Sequence, residues 1–181
     1  MRLTKAKHRS VANRDFLVDL SLLDFDKPVA GIEEIRRYNP QRFEMEQLSG
    51  ILYEDPVQNV CAAYKDLTPS EFWVRGHMPK MPLMPGVIML EAAAQLASFF
   101  ALKYDLLGAA MVGFGGLDEV RFRDPVIPGD RLIVMVRLEK ARRNRMIVAR
   151  FQGAVGDTLV VDGLLKGIPI PIDALNAMQK G

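Results

Sequence analysis

An α+β domain, with an antiparallel sheet wrapped around one long helix, is the architecture this sequence predicts. Three observations predict it. The run "VIMLEAAAQLASFFAL" at 87–102 is apolar on nearly every helical face, which marks a helix surrounded by protein on most sides. The last third of the chain alternates apolar and polar residues with a period of two, punctuated by turn residues. Shorter strand-like segments precede the helix, so one helix has sheet on both sides of it in the sequence. A length of 181 residues fits one such domain and suffices to bury a sizeable core.

The chain begins with Arg2, Lys5, Lys7, Arg9 and Arg14 and no acid before Asp15, so the formal charge of +2 belongs to this tail and the rest is net negative. A nucleic-acid-binding domain would carry its basic face on the folded part, which argues against that class. The tail reads as a solvated end, or as a contact for an anionic partner or membrane surface. "FLVDLSLLDF" at 16–25 is short and broken by Asp19 and Asp24, so it is no secretory h-region. The apolar helix contains Glu91 and Gln95 and is too short for a membrane span of roughly 20 residues. A cytoplasmic protein is expected. The single Cys61 excludes an intramolecular disulfide framework, and with only His8 and His77 no histidine-rich metal site is expected.

"GIEEIRRYNP" at 31–40 predicts a short helix ending before Pro40. "GILYED" and "VQNVCAAYKDL" predict strands separated by the Asp55–Pro56 turn. The helix follows from about Val87 to Tyr104. In "RLIVMVRLEK" at 131–140, Leu132, Val134, Val136 and Leu138 form one face. "RRNR" turns the chain into "MIVARFQGAV", "GD" at 156–157 marks a hairpin, and "TLVVDGLLKGI" completes a meander that Pro169 and Pro171 stop.

Chemistry concentrates in "RGHMPKMPLMPGVIMLEAAAQ" at 75–95. Pro79, Pro82 and Pro85 stiffen the loop between His77 and the helix. Gly86 stands where the helix begins, where backbone N–H groups lack internal partners and the dipole is positive. Such an end can stabilise an oxyanion. Glu91 lies five residues on, about 7.5 Å along the axis. A carboxyl on an apolar helix is suited to hold and donate a proton, and histidine is the natural base near neutral pH. Base, acid and oxyanion donor are the parts needed to remove a proton α to a carbonyl and expel a β-hydroxyl. Against these stand the plainer readings of a structural histidine and a paired buried acid.

The pattern H-x-P-x(2)-P-x(2)-P-G-V-x(3)-E-A-x-A-Q resembles the active-site segment of FabZ-type 3-hydroxyacyl–acyl-carrier-protein dehydratases, and "GLDEVRFRDPVIPGD" at 116–130 resembles that family's second motif. Weaker similarity runs from Ile32 to Pro169. The resemblance implies a hot-dog fold over residues 32–170, flanked by a basic extension at 1–31 and a tail at 171–181. It implies dehydration of (3R)-3-hydroxyacyl thioesters on acyl carrier protein to trans-2-enoyl thioesters, with no cofactor or metal. His77 falls on the catalytic histidine and Glu91 on the catalytic glutamate, which in the family come from opposite subunits of a homodimer. Three dimers often form a hexamer. Gly86 falls on the glycine whose N–H holds the thioester carbonyl; Val87 follows it in the motif, and Gln95 lies beside the glutamate. Met78 and Met84, with Met81 and Met89, would line an adaptable acyl pocket or simply pack the core. Arg121 and Arg123 would receive the acidic carrier.

Departures are visible. Met78 and Lys80 stand where the family commonly has Phe and Gly, Gly113 stands where several members have a tunnel-gating aromatic, and "PQRFE" replaces "PHRYP", with Gln41 for a histidine. A hot-dog thioesterase and a non-catalytic protein that binds acyl carriers are the alternative readings.

Overall fold

The computed structural model describes residues 16–172. After helix α1 (Ile32–Tyr38) come strands β1 (Gly50–Asp55) and β2 (Val60–Asp66), then helix α2 (Gly86–Lys103), then strands β3 (Val112–Phe122), β4 (Arg131–Arg142), β5 (Met146–Val155) and β6 (Thr158–Pro169). The strands form one sheet in the order β1-β2-β4-β5-β6-β3, and every neighbouring pair is antiparallel. This is the sheet around a helix that the hot-dog resemblance implies.

α2 forms because its sequence is rich in Ala, Leu and Phe, and it is buried because no face is polar. Leu96, Phe99, Phe100 and Ala101 are fully enclosed, facing Leu132, Val134 and Val136 of β4 and Ile147 and Phe151 of β5 in one core. By length and composition α2 could cross a bilayer, but its packing against the sheet accounts for its apolarity. Its C-terminal end is fixed by Lys103, whose ammonium lies 2.9 Å from Glu54 and 2.7 Å from Glu34. The cation suits the negative end of the helix dipole. Tyr104 donates to the other oxygen of Glu54 at 2.8 Å. Burial first, and Glu54 second, push the Tyr104 phenol up to about 12.

A second apolar cluster lies on the outer face of the sheet. Ile133 and Met135 of β4, with Leu52, Val60 and Ala62, are covered by Val18, Leu23 and the partly buried Phe16, Leu17, Leu20 and Phe25. Residues 16–30, which the sequence reading places in the extension, therefore form a strap over this face. Leu17 N–H donates to Gln152 at 2.8 Å, the Phe25 ring meets Tyr64 edge-on, and the Arg131 guanidinium lies over both rings. The strap ends by bonding Val29 N–H to the carbonyl of Ile51 at 2.8 Å, and Ala30 bridges to the same residue. It thus covers the β1 edge. The other edge, β3, has no such cover among the described residues. It carries two register shifts, between Phe114 and Gly116 and between Asp118 and Arg121, and it exposes Phe114, Leu117 and Phe122. The basic cluster at 1–14 lies outside the described residues.

Candidate active site

The segment from Trp73 to Pro85 folds back on itself before α2 begins. His77 N–H donates to the Trp73 carbonyl at 2.7 Å, Leu83 N–H to the His77 carbonyl at 2.9 Å, and Met84 N–H to Val126 at 2.8 Å. The imidazole Nδ1 lies 2.9 Å from the carbonyl oxygen of Leu83. A carbonyl only accepts, so Nδ1 carries the proton and the neutral ring presents Nε2 as an unprotonated base.

Lys80, exposed in the same loop, has φ of +69°, in the left-handed region that glycine adopts without strain. That explains in physical terms why glycine suits this position.

At the start of α2, Pro85 supplies no side-chain cap. Among the described residues, no acceptor takes the N–H of Gly86 or Val87. The positive end of an 18-residue helix is thus open. His77, Leu83, Met84, Gly86, Val87 and Met89 line one side of a cleft of about 460 Å³, and Phe122, Arg123, Asp124 and Pro125 line the other. Gly86 is required here by packing: a Cβ would stand 2.6 Å from the Phe122 ring. The glycine lets the ring approach from one side while the N–H stays unpartnered.

Glu91 belongs to a different, smaller cavity of about 70 Å³, walled by Gln41, Ala94 and Ser98, by Val112–Phe114 of β3 and by Lys166 and Gly167 of β6. Gln95, one turn along the helix and 2 % exposed, lies behind Glu91 and holds it. Its amide oxygen accepts from Gln47 N–H at 2.9 Å, and its nitrogen donates to the Met45 carbonyl at 2.6 Å and to Glu91 Oε1 at 2.8 Å. Its own carbonyl accepts from Asn39 at 2.9 Å. The backbone partners fix which end of the Gln95 amide is which, so Glu91 Oε1 faces a donor. Gln41 Nε2 lies 3.4 Å from the same oxygen.

Within one protomer, then, the structure brings His77, Met84, Gly86 and Val87 together, and Glu91 with Gln95 separately. Met84 is buried at the cleft wall, whereas Met78 and Met81 are exposed and line neither cavity. Arg123 is at the cleft but engaged: its Nε lies 2.6 Å from Asp162, whose hydrogen bond raises the guanidinium above its ordinary value. Arg121 is exposed and makes no ion pair among the described residues. Sequence reasoning missed Phe122 and Gln41 as wall residues. Phe122 stood between two arginines, and Gln41 was noted only as a departure.

The larger cleft, and all of the smaller cavity except its β6 wall, lie in the part of the chain that matches a known family model. The FabA-like domain model matches residues 39–163. The chain belongs to the FabA-like domain family. The 3-hydroxyacyl–acyl-carrier-protein dehydratase FabZ of Desulfotalea psychrophila is 38 % identical over 128 residues, covering 70 % of this chain and 84 % of that protein. The FabZ of Dichelobacter nodosus is 38 % identical over 122 residues, covering 62 % of this chain and 79 % of that protein. A chain of the dehydratase heterocomplex ApeI:P from Xenorhabdus doucetiae shares the fold, with a TM-score of 0.65 at 15 % identity over 80 % of this chain and 96 % of that one. Within this FabA-like domain, Gln41, His77, Glu91 and Phe122 all fall inside the matched span, while the strap of residues 16–30 precedes it.

Proposed function

We propose that this protein is a cytoplasmic dehydratase that converts (3R)-3-hydroxyacyl thioesters on acyl carrier protein to trans-2-enoyl thioesters, in sites shared by two protomers. The observation that carries the reading is where the two half-sites sit on β3. The His77 cleft borders Phe122 at one end of the strand, and the Glu91 cavity borders Val112–Phe114 at the other. Among the described residues, β3 is the edge left uncovered, and it exposes apolar side chains. Antiparallel pairing of β3 with its copy about a two-fold axis near Leu117 sets Phe122 of one protomer opposite Val112 of the other. Each His77 cleft then meets the mate's Glu91 cavity, twice per dimer.

In such a site, His77 Nε2 takes the α-proton while the unpartnered N–H groups at the tip of α2 hold the thioester oxygen as it gains charge. Glu91 of the mate donates a proton to the 3-hydroxyl. The Cα–H and C3–O bonds break, the Cα–C3 double bond forms, and water leaves. Protonated His77 and deprotonated Glu91 return to their starting states by exchange with solvent. The apolar wall of Leu83, Met84, Met89 and Phe122 suits an acyl thioester, and no step needs a metal or redox group. Exposed Arg121, beside the cleft, is the better placed of the two arginines to meet an acidic carrier.

The test is turnover of 3-hydroxyacyl carriers of graded chain length, followed by the absorbance of the conjugated enoyl product. Enoyl formation by the native protein and its loss in His77→Asn supports the reading. Free thiol without enoyl product, or no turnover at any length, overturns it.

A further inference from the structure

The Glu91 cavity is graded from an open, polar mouth to a closed, apolar floor. Gln41 and Glu91 are half-buried, and Phe114 beside them is exposed. Ala97, Ile147 and Leu165 line the same cavity and are buried almost completely. On the α2 side, Ala94, Ala97 and Ser98 follow Glu91 along the wall, and their small side chains are what leave the space.

On the sheet side the space is closed off. Gly167 of β6 has no side chain, but its neighbours occupy the room above it. A Cβ on Gly167 would stand 2.7 Å from Val112 Cγ1 and 2.8 Å from Ile147 Cγ1. β6 lies between β5 and β3, so Ile147 and Val112 converge on Gly167 from the strands on either side. Both are β-branched, and Ile147 is fully enclosed, so neither has much rotamer freedom to swing aside.

Volume then sets a limit. In the shared site, carbon 3 of the substrate stands at Glu91, and the apolar room for the tail from carbon 4 onward is this cavity. A cavity of about 150 Å³ can enclose benzene, a ring of six carbons. The space here is about 70 Å³, roughly half of that, and suits about three carbons.

We infer that Val112 and Ile147, meeting over Gly167, are the end stop of the acyl site and restrict the enzyme to short 3-hydroxyacyl thioesters, of about four to six carbons. This deepens the dehydratase reading by naming its substrate class, and it rests on that reading. A longer tail must push two packed side chains aside or leave its end in water. Either way, its added methylenes contribute nothing to binding the transition state.

The experiment measures kcat/KM for enoyl formation by the full chain on 3-hydroxybutyryl, 3-hydroxyhexanoyl and 3-hydroxydecanoyl carriers. Native protein should favour the two shorter carriers and lose about tenfold or more on the longest, since one methylene too many costs that much in a closed pocket. Val112→Ala deletes two methyl groups of the stop from a half-buried position on the edge strand. It should raise the decanoyl-to-butyryl ratio of kcat/KM by about tenfold. Ile147→Ala should raise the ratio too, and Ile147→Val, a milder change in the core, serves if the alanine variant does not fold. Ala94→Leu fills the cavity from the helix side and should lower the hexanoyl-to-butyryl ratio. A purely structural role for these residues would scale all three carriers alike. A native profile that is flat or rises towards the longest carrier overturns the assignment, and so do ratios in Val112→Ala and Ile147→Val equal to the native ones. Native protein that dehydrates none of the carriers refutes the dehydratase reading instead, and the two failures are distinguishable.

Discussion

The shared-site geometry makes a quantitative demand on mixed dimers. His77→Asn removes the base while an amide nitrogen remains to donate to the Leu83 carbonyl, so the loop keeps its contact. Glu91→Gln removes the acid but keeps an oxygen to accept from Gln95. Each homodimer has two defective sites, and each should lose about 10²–10⁴-fold in kcat, the usual worth of a general acid or base. In a mixed dimer, one site receives both defects and the other receives neither, because it draws His77 from the Glu91→Gln chain and Glu91 from the His77→Asn chain. Mixed dimers isolated through two different affinity tags should therefore recover about half the native activity per dimer, and random mixing of subunits about a quarter. The assay is enoyl formation at saturating carrier substrate, with the tags confirming one copy of each chain. Mixed dimers no more active than either parent would show that acid and base act from one chain, and the β3 pairing argument would fall.

Two further outcomes follow from the backbone around the cleft. Lys80→Gly should raise stability by about 1 kcal/mol, since a left-handed φ costs a side-chain-bearing residue roughly that much, and thermal unfolding would show a higher midpoint; a lower midpoint would mean that the Lys80 side chain makes a compensating contact. Gly86→Ala should destabilise the fold and depress kcat because the new methyl meets the Phe122 ring at 2.6 Å, and Phe122→Leu should restore much of the loss in the double variant; additive losses would indicate that the ring does not set the identity of residue 86.

Legibility in the sequence followed the clarity of the local signal. α2 was readable to within a residue at each end, because an apolar run of this length, interrupted only by Glu91, Gln95 and Ser98, is too long for a strand. The β4-β5-β6 meander was readable because its turns are marked by "RRNR" and "GD" and its strands alternate. β3 was not read as a strand. Gly113, Gly115 and Gly116 depress strand propensity, and the two register shifts break the period-two pattern that would otherwise announce it. The strap over the outer face also went unread, although the clue was present: Ile133 and Met135 occupy the phase of β4 that a one-faced strand would give to polar residues. Two buried faces need two covers, and the apolar "FLVDLSLLDF" was the available one.

The site divides along the same line. His77, Gly86 and Glu91 stand in one continuous segment, so their chemistry could be proposed from spacing alone. What spacing could not convey is that a rise of about 7.5 Å along α2 carries the chain from one cavity to another. Nor could it show that Gln41, fifty residues before Glu91, folds in beside that carboxyl. The intervening device is Gln95. By committing its amide to the backbone of Met45 and Gln47, it anchors the segment that follows Gln41 to the helix that carries Glu91. A single buried side chain thus fixes the loop, selects the acceptor oxygen of the acid and dictates which end of Gln41 faces it. Burying a polar side chain to 2 % exposure is costly unless it is hydrogen-bonded, and the bonds that satisfy Gln95 orient the carboxyl as well as holding the fold together.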